Sequence, residues 1–210
     1  ARYGTLTPDP DQVPDVDLGL YSVTFNNDID ADWNTLDQFK KFRIEAIEKN
    51  FRYFLEVFNP NVEDCGIDPD GIPDYVNDQI ARMLAGIPRA SRPQFLKVQY
   101  NSAASMEALV QYDTSVVVGI LGGPKSTTYD AFKLIEESKK RGARVALFGR
   151  RIKGTEDPLA FVEVLREVAD GTVRPEEGVK VYREALERSG IKPERNLEED
   201  MQIFTKGLLK

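Results

Sequence analysis

The sequence predicts an α/β fold with a parallel sheet, and two features support this prediction. Five short apolar runs alternate along the chain with longer segments in which apolar residues recur at helical spacing. Each longer segment can serve as the crossover between two strands that point the same way, and such crossovers are right-handed. With 210 residues, of which 41% are hydrophobic, the chain is long enough to bury a substantial core.

The predicted elements follow one another in strict alternation. The five strands span residues 20–26, 52–58, 95–101, 115–121 and 143–148. The helices that follow them span about residues 33–49, 75–84, 105–110, 129–141 and 158–169. Breakers mark two boundaries: Gly142 follows a basic last helical turn, and Asp157 precedes Pro158 in the pattern of an N-cap before a first-turn proline.

The end of the chain is charged and has a helical pattern. We expect helices at about residues 175–189 and 197–208. They would form a C-terminal helical extension, residues 172–210, packed outside a main domain that spans residues 1–171.

The composition excludes several classes of function. Lys and Arg number 28 against 35 Asp and Glu, a net charge of −7, so we expect neither nucleic acid nor a membrane as a partner. The chain has no histidine and only one cysteine, Cys65, which excludes histidine-based triads and thiolate-rich metal sites. We therefore expect no metal and no cofactor, with proton transfer by Lys, Asp, Glu, Tyr or Cys. The lone cysteine and the lack of a visible signal peptide favour a cytoplasmic location.

Two charged residues lie in the middle of predicted strands. Because side chains alternate between faces, Lys97 shares one face of its strand with Gln99, and Glu56 lies on the corresponding face of the preceding strand. The opposite faces are apolar and should meet the helices, so both charges would point into the middle of a closed barrel. Two interpretations stay open. The pair only fills the barrel, or Lys97 is a nucleophile kept uncharged by desolvation beside a carboxylate that moves protons.

Glycines end the last two predicted strands. The fourth strand runs into Gly122 and Gly123, with Lys125 next to a helix start, and the fifth runs into Gly149 and Arg150. Glycine lets backbone N–H groups approach an anion, arginine supplies a bidentate fork, and barrels often bind phosphate after their last two strands. The alternative is a simple tight turn, an arginine on the surface and a lysine that only shapes the loop.

Four short motifs, taken in their order along the chain, resemble class I, Schiff-base-forming aldolases of the (β/α)8 type. They are L-E-V on the second strand, F-L-K-V-Q-Y on the third, the G-G-P-K-S loop, and F-G-R at the end of the fifth. Within this class, the chain resembles the tagatose-1,6-bisphosphate aldolases and the archaeal-type fructose-1,6-bisphosphate aldolases with their deoxyribose-phosphate aldolase relatives. The resemblance covers about residues 20–169. It implies a TIM barrel of which the chain holds the last five β/α units.

The resemblance also implies roles for the candidate residues. Lys97 corresponds to the lysine that forms the carbinolamine and the imine. Glu56 corresponds to the glutamate that moves protons in the tagatose-bisphosphate group. Archaeal-type enzymes have a tyrosine where this chain has Phe58, which favours the glutamate variant. For the phosphate of the sugar, the resemblance implies Gly122, Gly123, Gly149 and Arg150, and Lys125 is a further candidate from its place in the loop. The candidates for binding the sugar hydroxyl groups are Ser22, Thr24, Asn26, Gln99 and Asn101.

A complete barrel of this type needs ~250 residues, and three β/α units have no counterpart in the sequence. We therefore expect the sequence to be an incomplete record of a longer enzyme. That enzyme would be a homo-oligomeric class I aldolase that cleaves a phosphorylated ketose. Two alternatives remain: an isomerase or synthase that acts on sugar phosphates without an imine, and a non-catalytic homologue that binds a sugar phosphate.

Overall fold

The computed structural model describes residues 16–210 and contains one parallel sheet. Its strands are β1 (Leu18–Thr24), β2 (Arg52–Phe58), β3 (Phe95–Val98), β4 (Val117–Leu121) and β5 (Val145–Leu147). They lie in the order β1-β2-β3-β4-β5, and each neighbouring pair is parallel. The predicted α/β class and parallel pairing are confirmed.

Helices connect the strands and continue after the sheet. They are α1 (Ile29–Glu48), α2 (Ile72–Ala85), α3 (Ala103–Tyr112), α4 (Thr128–Lys140), α5 (Gly149–Lys153), α6 (Pro158–Asp170), α7 (Pro175–Arg188) and α8 (Leu197–Asp200). Several begin at side-chain caps, as predicted for Asp157, whose carboxylate accepts hydrogen bonds from the first turn of α6. Gly142 lies just past α4 with φ +94°, a left-handed conformation that favours glycine.

One predicted helix was wrong, and one short helix was missed. The helix expected over residues 197–208 ends at Asp200, and a short 3₁₀ turn, Lys206–Leu209, closes the chain. The helix stops because the backbone N–H groups of Phe204 and Thr205 donate to the Asp130 carboxylate instead of to helical carbonyls. The five-residue helix α5 was not predicted, because one turn is too short to show a periodic apolar pattern.

The apolar core lies between the outer face of the sheet and the helices. Side chains such as Leu55, Leu96 and Ile120 are almost fully buried on that face. Helix α7 contributes to the core, because Tyr182 packs edge-on against Phe161 of α6 with ring centroids 5.4 Å apart. Within residues 16–210, no helix has the length and apolar character needed to cross a membrane.

The inner face of the sheet carries a row of five register partners that we call the central row. It runs across the strands in the order Ser22, Glu56, Lys97, Gly119 and Val145. Because these residues are register partners in a parallel sheet, their side chains project to the same side. The register therefore brings together one hydroxyl, one carboxylate, one amine and one position without a side chain.

Gly119 is a tightly packed position of the central row. A Cβ atom there would lie 2.9 Å from Val145 Cβ and 3.0 Å from the Leu96 and Val145 carbonyl oxygens. Two of these contacts involve backbone atoms of the neighbouring strands, which cannot move without separating the sheet. The missing side chain thus allows β3, β4 and β5 to approach one another beside Lys97.

We predict that Gly119→Ala lowers the free energy of unfolding by about 1–3 kcal/mol, the usual range for overpacking a well-packed site. Chemical denaturation monitored by circular dichroism measures the change. Gly86→Ala is the control, because a Cβ at Gly86 has no neighbour within 4 Å. A Gly119→Ala variant as stable as the Gly86→Ala variant would contradict the proposed constraint.

Candidate active site

An ion pair joins two neighbouring strands on the inner face. Lys97 Nζ lies 2.6 Å from Glu56 Oε1, and the side chains are only 17% and 6% exposed. An isolated charge in such a place would be costly, so each residue offsets the desolvation of the other. The structure therefore brings together the two residues that the sequence predicts as catalytic.

The hydroxyl of Ser22 contacts the other oxygen of the same carboxylate. Ser22 Oγ donates to Glu56 Oε2 at 3.1 Å, from the strand on the opposite side of Glu56 to Lys97. The two carboxylate oxygens are thus divided between two donors. Ser22 itself is exposed, because β1 is an edge strand of the sheet.

The surroundings of the pair differ on its two sides. Toward the start of the strands, Phe54 and Phe95 stack with ring centroids 4.6 Å apart and form an apolar floor. Toward the ends of the strands, Phe58 and Gln99 are the next inward residues, and both are exposed. The pair therefore lies between an aromatic stack toward the start of the strands and exposed residues toward their carboxyl ends.

Amide side chains fasten the loops at this end of the sheet. Asn26 Nδ2 donates to Asn61 Oδ1 at 3.1 Å, and Asn26 Oδ1 accepts from the Asn61 backbone N–H at 2.9 Å. Asn59 and Asn101 exchange two side-chain hydrogen bonds of 2.8 and 2.9 Å. The amide of Asn26, a predicted ligand of the sugar, is thus engaged with the loop after β2.

Gly122 and Gly123, which follow β4, form a turn in which both positions favour glycine. A Cβ at Gly122 would lie 2.8 Å from the Phe148 ring, and Gly123 has φ +71°, a left-handed conformation. The Gly122 carbonyl accepts a hydrogen bond from Arg151 Nε. This turn lies beside the end of β5, where α5 begins, so the glycines predicted after the two strands do lie in adjacent loops.

A buried ion pair holds this turn, and the sequence analysis missed it. Arg151 Nη1 lies 2.7 Å from Asp130 Oδ2, with side chains 6% and 0% exposed. Burial raises the pKa of the Asp130 carboxyl. Hydrogen bonds from the Thr205 backbone and the Ser126 hydroxyl, together with the charge of Arg151, outweigh it and hold that pKa below its ordinary value. The only available signal was an aspartate on the apolar face of a predicted amphipathic helix.

The end of the chain completes the same cluster. We call residues 201–210 the C-terminal strap. Thr205 donates to Asp130 Oδ2 at 2.8 Å and accepts from Arg151 at 2.9 Å. Gly207 lies against the backbone of Tyr100, where a Cβ would lie 2.1 Å from the Tyr100 carbonyl oxygen. The strap therefore crosses from the start of α4 to the loop after β3, close to the end of the strand that carries Lys97.

The remaining phosphate candidates separate into two groups. Gly149 and Arg150 are exposed at the start of α5. Lys125 Nζ lies 2.6 Å from Glu194 Oε2, so its charge is already paired with the segment before α8. In residues 16–210, no cluster of three or more His, Cys, Asp or Glu side chains has an arrangement suited to a metal ion.

Solved aldolase structures are similar to this one. An archaeal fructose 1,6-bisphosphate aldolase aligns with a TM-score of 0.58 and 21% identity, over 74% of this chain and 58% of its own. An archaeal fructose-1,6-bisphosphate aldolase whose catalytic lysine is covalently bound to the carbinolamine intermediate aligns with a TM-score of 0.58 and 20% identity, over 73% and 58%. A fructose-bisphosphate aldolase from Slackia heliotrinireducens aligns with a TM-score of 0.58 and 14% identity, over 81% and 54%.

These similarities establish the fold. No protein-family model matches the chain, and no curated protein sequence does. The chain spans 54–58% of the length of the similar aldolases. Its five parallel β/α units therefore have the fold of part of a TIM barrel, as the sequence predicts.

We predict that Asp130→Asn lowers the free energy of unfolding by about 3–5 kcal/mol at neutral pH, because it leaves the Arg151 charge buried without its partner. Denaturant titration measures the loss. The matched control is Asp170→Asn, which removes an ion pair of the same 2.7 Å N–O separation that is largely exposed. The control should cost less than about 1 kcal/mol.

The loss should also depend on pH. The pKa of Asp130 is lower in the folded protein than its ordinary value of 3.8, so its contribution is complete above that value. The contribution disappears as the pH falls through the lowered pKa. The difference between wild type and Asp130→Asn should therefore shrink in acid, and a constant difference would contradict this assignment.

Proposed function

We propose that this chain carries the active site of a class I aldolase, which cleaves a phosphorylated ketose reversibly through a Schiff base on Lys97. The observation that carries the proposal is the ion pair of Lys97 and Glu56, buried in register on neighbouring strands of a partial TIM barrel. The similar archaeal aldolase, in which a catalytic lysine is bound to a carbinolamine, supports it.

The pair supplies the proton transfer that the first step needs. Lys97 gives a proton to Glu56 across the 2.6 Å contact, which leaves a neutral amine and a carboxylic acid. The amine nitrogen forms a bond to the ketone carbon as the C=O π electrons move to oxygen, and a proton passes from the nitrogen to that oxygen, which gives the hydroxyl of a neutral carbinolamine. Glu56 then returns its proton to that hydroxyl, water leaves, and an iminium ion forms.

The carboxylate left by this step is the base for cleavage. Glu56 takes the proton of the C4 hydroxyl, the C4–O electrons form the aldehyde, and the C3–C4 bond breaks. Its electron pair forms a C2=C3 double bond as the iminium π electrons move to nitrogen, which gives an enamine. After the aldehyde leaves, Glu56 protonates C3, and water hydrolyses the iminium ion to release the ketone and the amine.

The loops after β4 and β5 are proposed to bind the phosphate through Gly122, Gly123, Gly149 and Arg150. Gly149 supports this, because a Cβ there has no neighbour within 4 Å and its φ is not in the left-handed region. The protein itself therefore does not require glycine at this position, whereas the close approach of an anion would. Gly122 lies three residues after Gly119, the residue of β4 in the central row. At ~3.3 Å per residue this separation is about 10 Å, a distance that a phosphorylated ketose can span.

We predict that borohydride and dihydroxyacetone phosphate give a covalent mass increase on the wild-type chain, and that Lys97→Met abolishes it because the amine is absent. Intact-protein mass spectrometry measures the adduct. Lys133→Met is the matched control, since Lys133 is a partly buried lysine paired with glutamates on α4. The control should keep the adduct.

Other results would contradict the aldolase proposal in distinct ways. An adduct that persists in Lys97→Met would place the imine on another lysine. Turnover of sugar phosphates by a wild-type chain that gives no adduct would favour a non-covalent isomerase or synthase. Thermal stabilisation by a sugar phosphate without turnover would favour a binding protein.

For the phosphate site, we predict that Arg150→Met raises KM for the phosphorylated substrate by about 10-fold or more and leaves kcat within about 2-fold. The loss of a charged hydrogen bond accounts for an increase of this size. Steady-state cleavage assays measure both constants. Lys153→Met removes a neighbouring positive charge from the same short helix and is the control. An equal rise of KM in both variants would show a general effect of charge instead of a contact.

A further inference from the structure

We infer that Ser22 is a positioning residue for the proton transfers of Glu56, an inference that rests on the proposed function. Ser22, Glu56 and Lys97 are consecutive members of the central row on three adjacent strands. Ser22 donates to Glu56 Oε2 at 3.1 Å, and Lys97 contacts Glu56 Oε1 at 2.6 Å. The carboxylate is therefore held from both sides.

The need for such a contact follows from the flexibility of a glutamate side chain. Its last torsion is broad and roughly two-fold, so a carboxylate held at one oxygen can rotate or exchange its two oxygens. A second donor on the opposite side fixes the plane of the group along the central row. The same oxygen, Oε1, then always faces the amine of Lys97 and the substrate carbon atoms of the imine that forms on it.

The rest of the central row cannot replace this donor. Beyond Lys97 the row continues with Gly119 and Val145, which have no hydroxyl group. Below the pair lie the rings of Phe54 and Phe95. Of the side chains in the central row, Ser22 is thus the one that can orient Glu56 without competing for the Oε1 atom used in proton transfer.

The exposure of Ser22 separates this role from a structural one. Water can reach Glu56 Oε2 from the open edge at β1 when the hydroxyl is removed, so the carboxylate does not lose all its hydrogen bonds. We therefore expect Ser22→Ala to melt close to the wild-type temperature. A water molecule satisfies the charge of the oxygen, but it does not fix the plane of the carboxylate as a covalently anchored hydroxyl does.

The test measures proton transfer separately from imine formation. In deuterium oxide, the iminium ion formed from dihydroxyacetone phosphate loses its C3 proton to Glu56, gives the enamine, and regains a deuteron at C3 from the same group. The C–H bond breaks, a C–D bond forms, and no oxidant or reductant is needed. Nuclear magnetic resonance follows the exchange, and borohydride trapping quantifies the imine.

We expect Ser22→Ala to lower the exchange rate at saturating dihydroxyacetone phosphate by roughly 10- to 100-fold, as a misplaced reacting group does. KM and the fraction of imine trapped after equilibration should stay within about 2-fold of wild type, because Lys97 and the phosphate site are unchanged and slower proton transfer by Glu56 does not shift the imine equilibrium. Ser22→Thr, which keeps a hydroxyl, should restore most of the rate. The control Ser189→Ala removes an exposed hydroxyl at the end of α7, outside the central row, and should exchange at the wild-type rate.

Each contrary outcome has a separate meaning. If the wild type neither traps nor exchanges dihydroxyacetone phosphate, the proposed function fails, and this inference fails with it. If the wild type does both and Ser22→Ala exchanges equally fast, the positioning role alone is overturned. A raised KM with an unchanged saturated rate would instead make Ser22 a ligand of the substrate. A slow variant that Ser22→Thr does not rescue would also overturn the role.

Discussion

The contact between Lys97 and Glu56 is the interaction on which the inner face of the sheet depends. Neither charge is stable there alone, because the side chains lie over the stacked rings of Phe54 and Phe95 and are largely shielded from water. The parallel register solves this problem by making the two residues direct neighbours. The same register adds Ser22 on one side and the closely packed Gly119 on the other. A desolvated amine with a proton acceptor beside it is the arrangement that imine chemistry requires.

A second buried ion pair performs a different task at the end of the sheet. Arg151 and Asp130 connect the turn at Gly122 to α4 and to the strap. The carboxylate of Asp130 accepts hydrogen bonds from hydroxyl groups, backbone N–H groups and the arginine, so its charge is fully compensated without water. The proposed phosphate loop is thus held from behind by parts of the chain distant in sequence, which leaves its outer surface available for a ligand.

The two predicted groups of site residues differ in how far local sequence could identify them. Lys97 and Glu56 were recognisable because charge in the middle of an apolar strand is rare and because strand alternation fixes the face of each side chain. Lys125 was predicted near the phosphate from its place in the G-G-P-K-S loop, yet its amine forms an ion pair with Glu194, 69 residues later in the chain. Asn26 likewise engages Asn61 across two loops. Which partner a loop side chain meets depends on how separate segments pack, and no local pattern records that.

The sequence alone determined the alternation of strands and helices, the parallel sheet and the inward direction of the catalytic candidates, because these follow from periodicity and from the geometry of crossovers. The tertiary structure decided the path of the last 14 residues. Their composition suits a helix, and Asn196 caps one, but the segment stops being helical after Asp200. Its backbone N–H groups meet the buried carboxylate of Asp130 instead, and a charge-assisted hydrogen bond in a dry site is stronger than the helical bond it replaces. Competition between a local and a distant acceptor can only be resolved once the fold has brought the distant one into place.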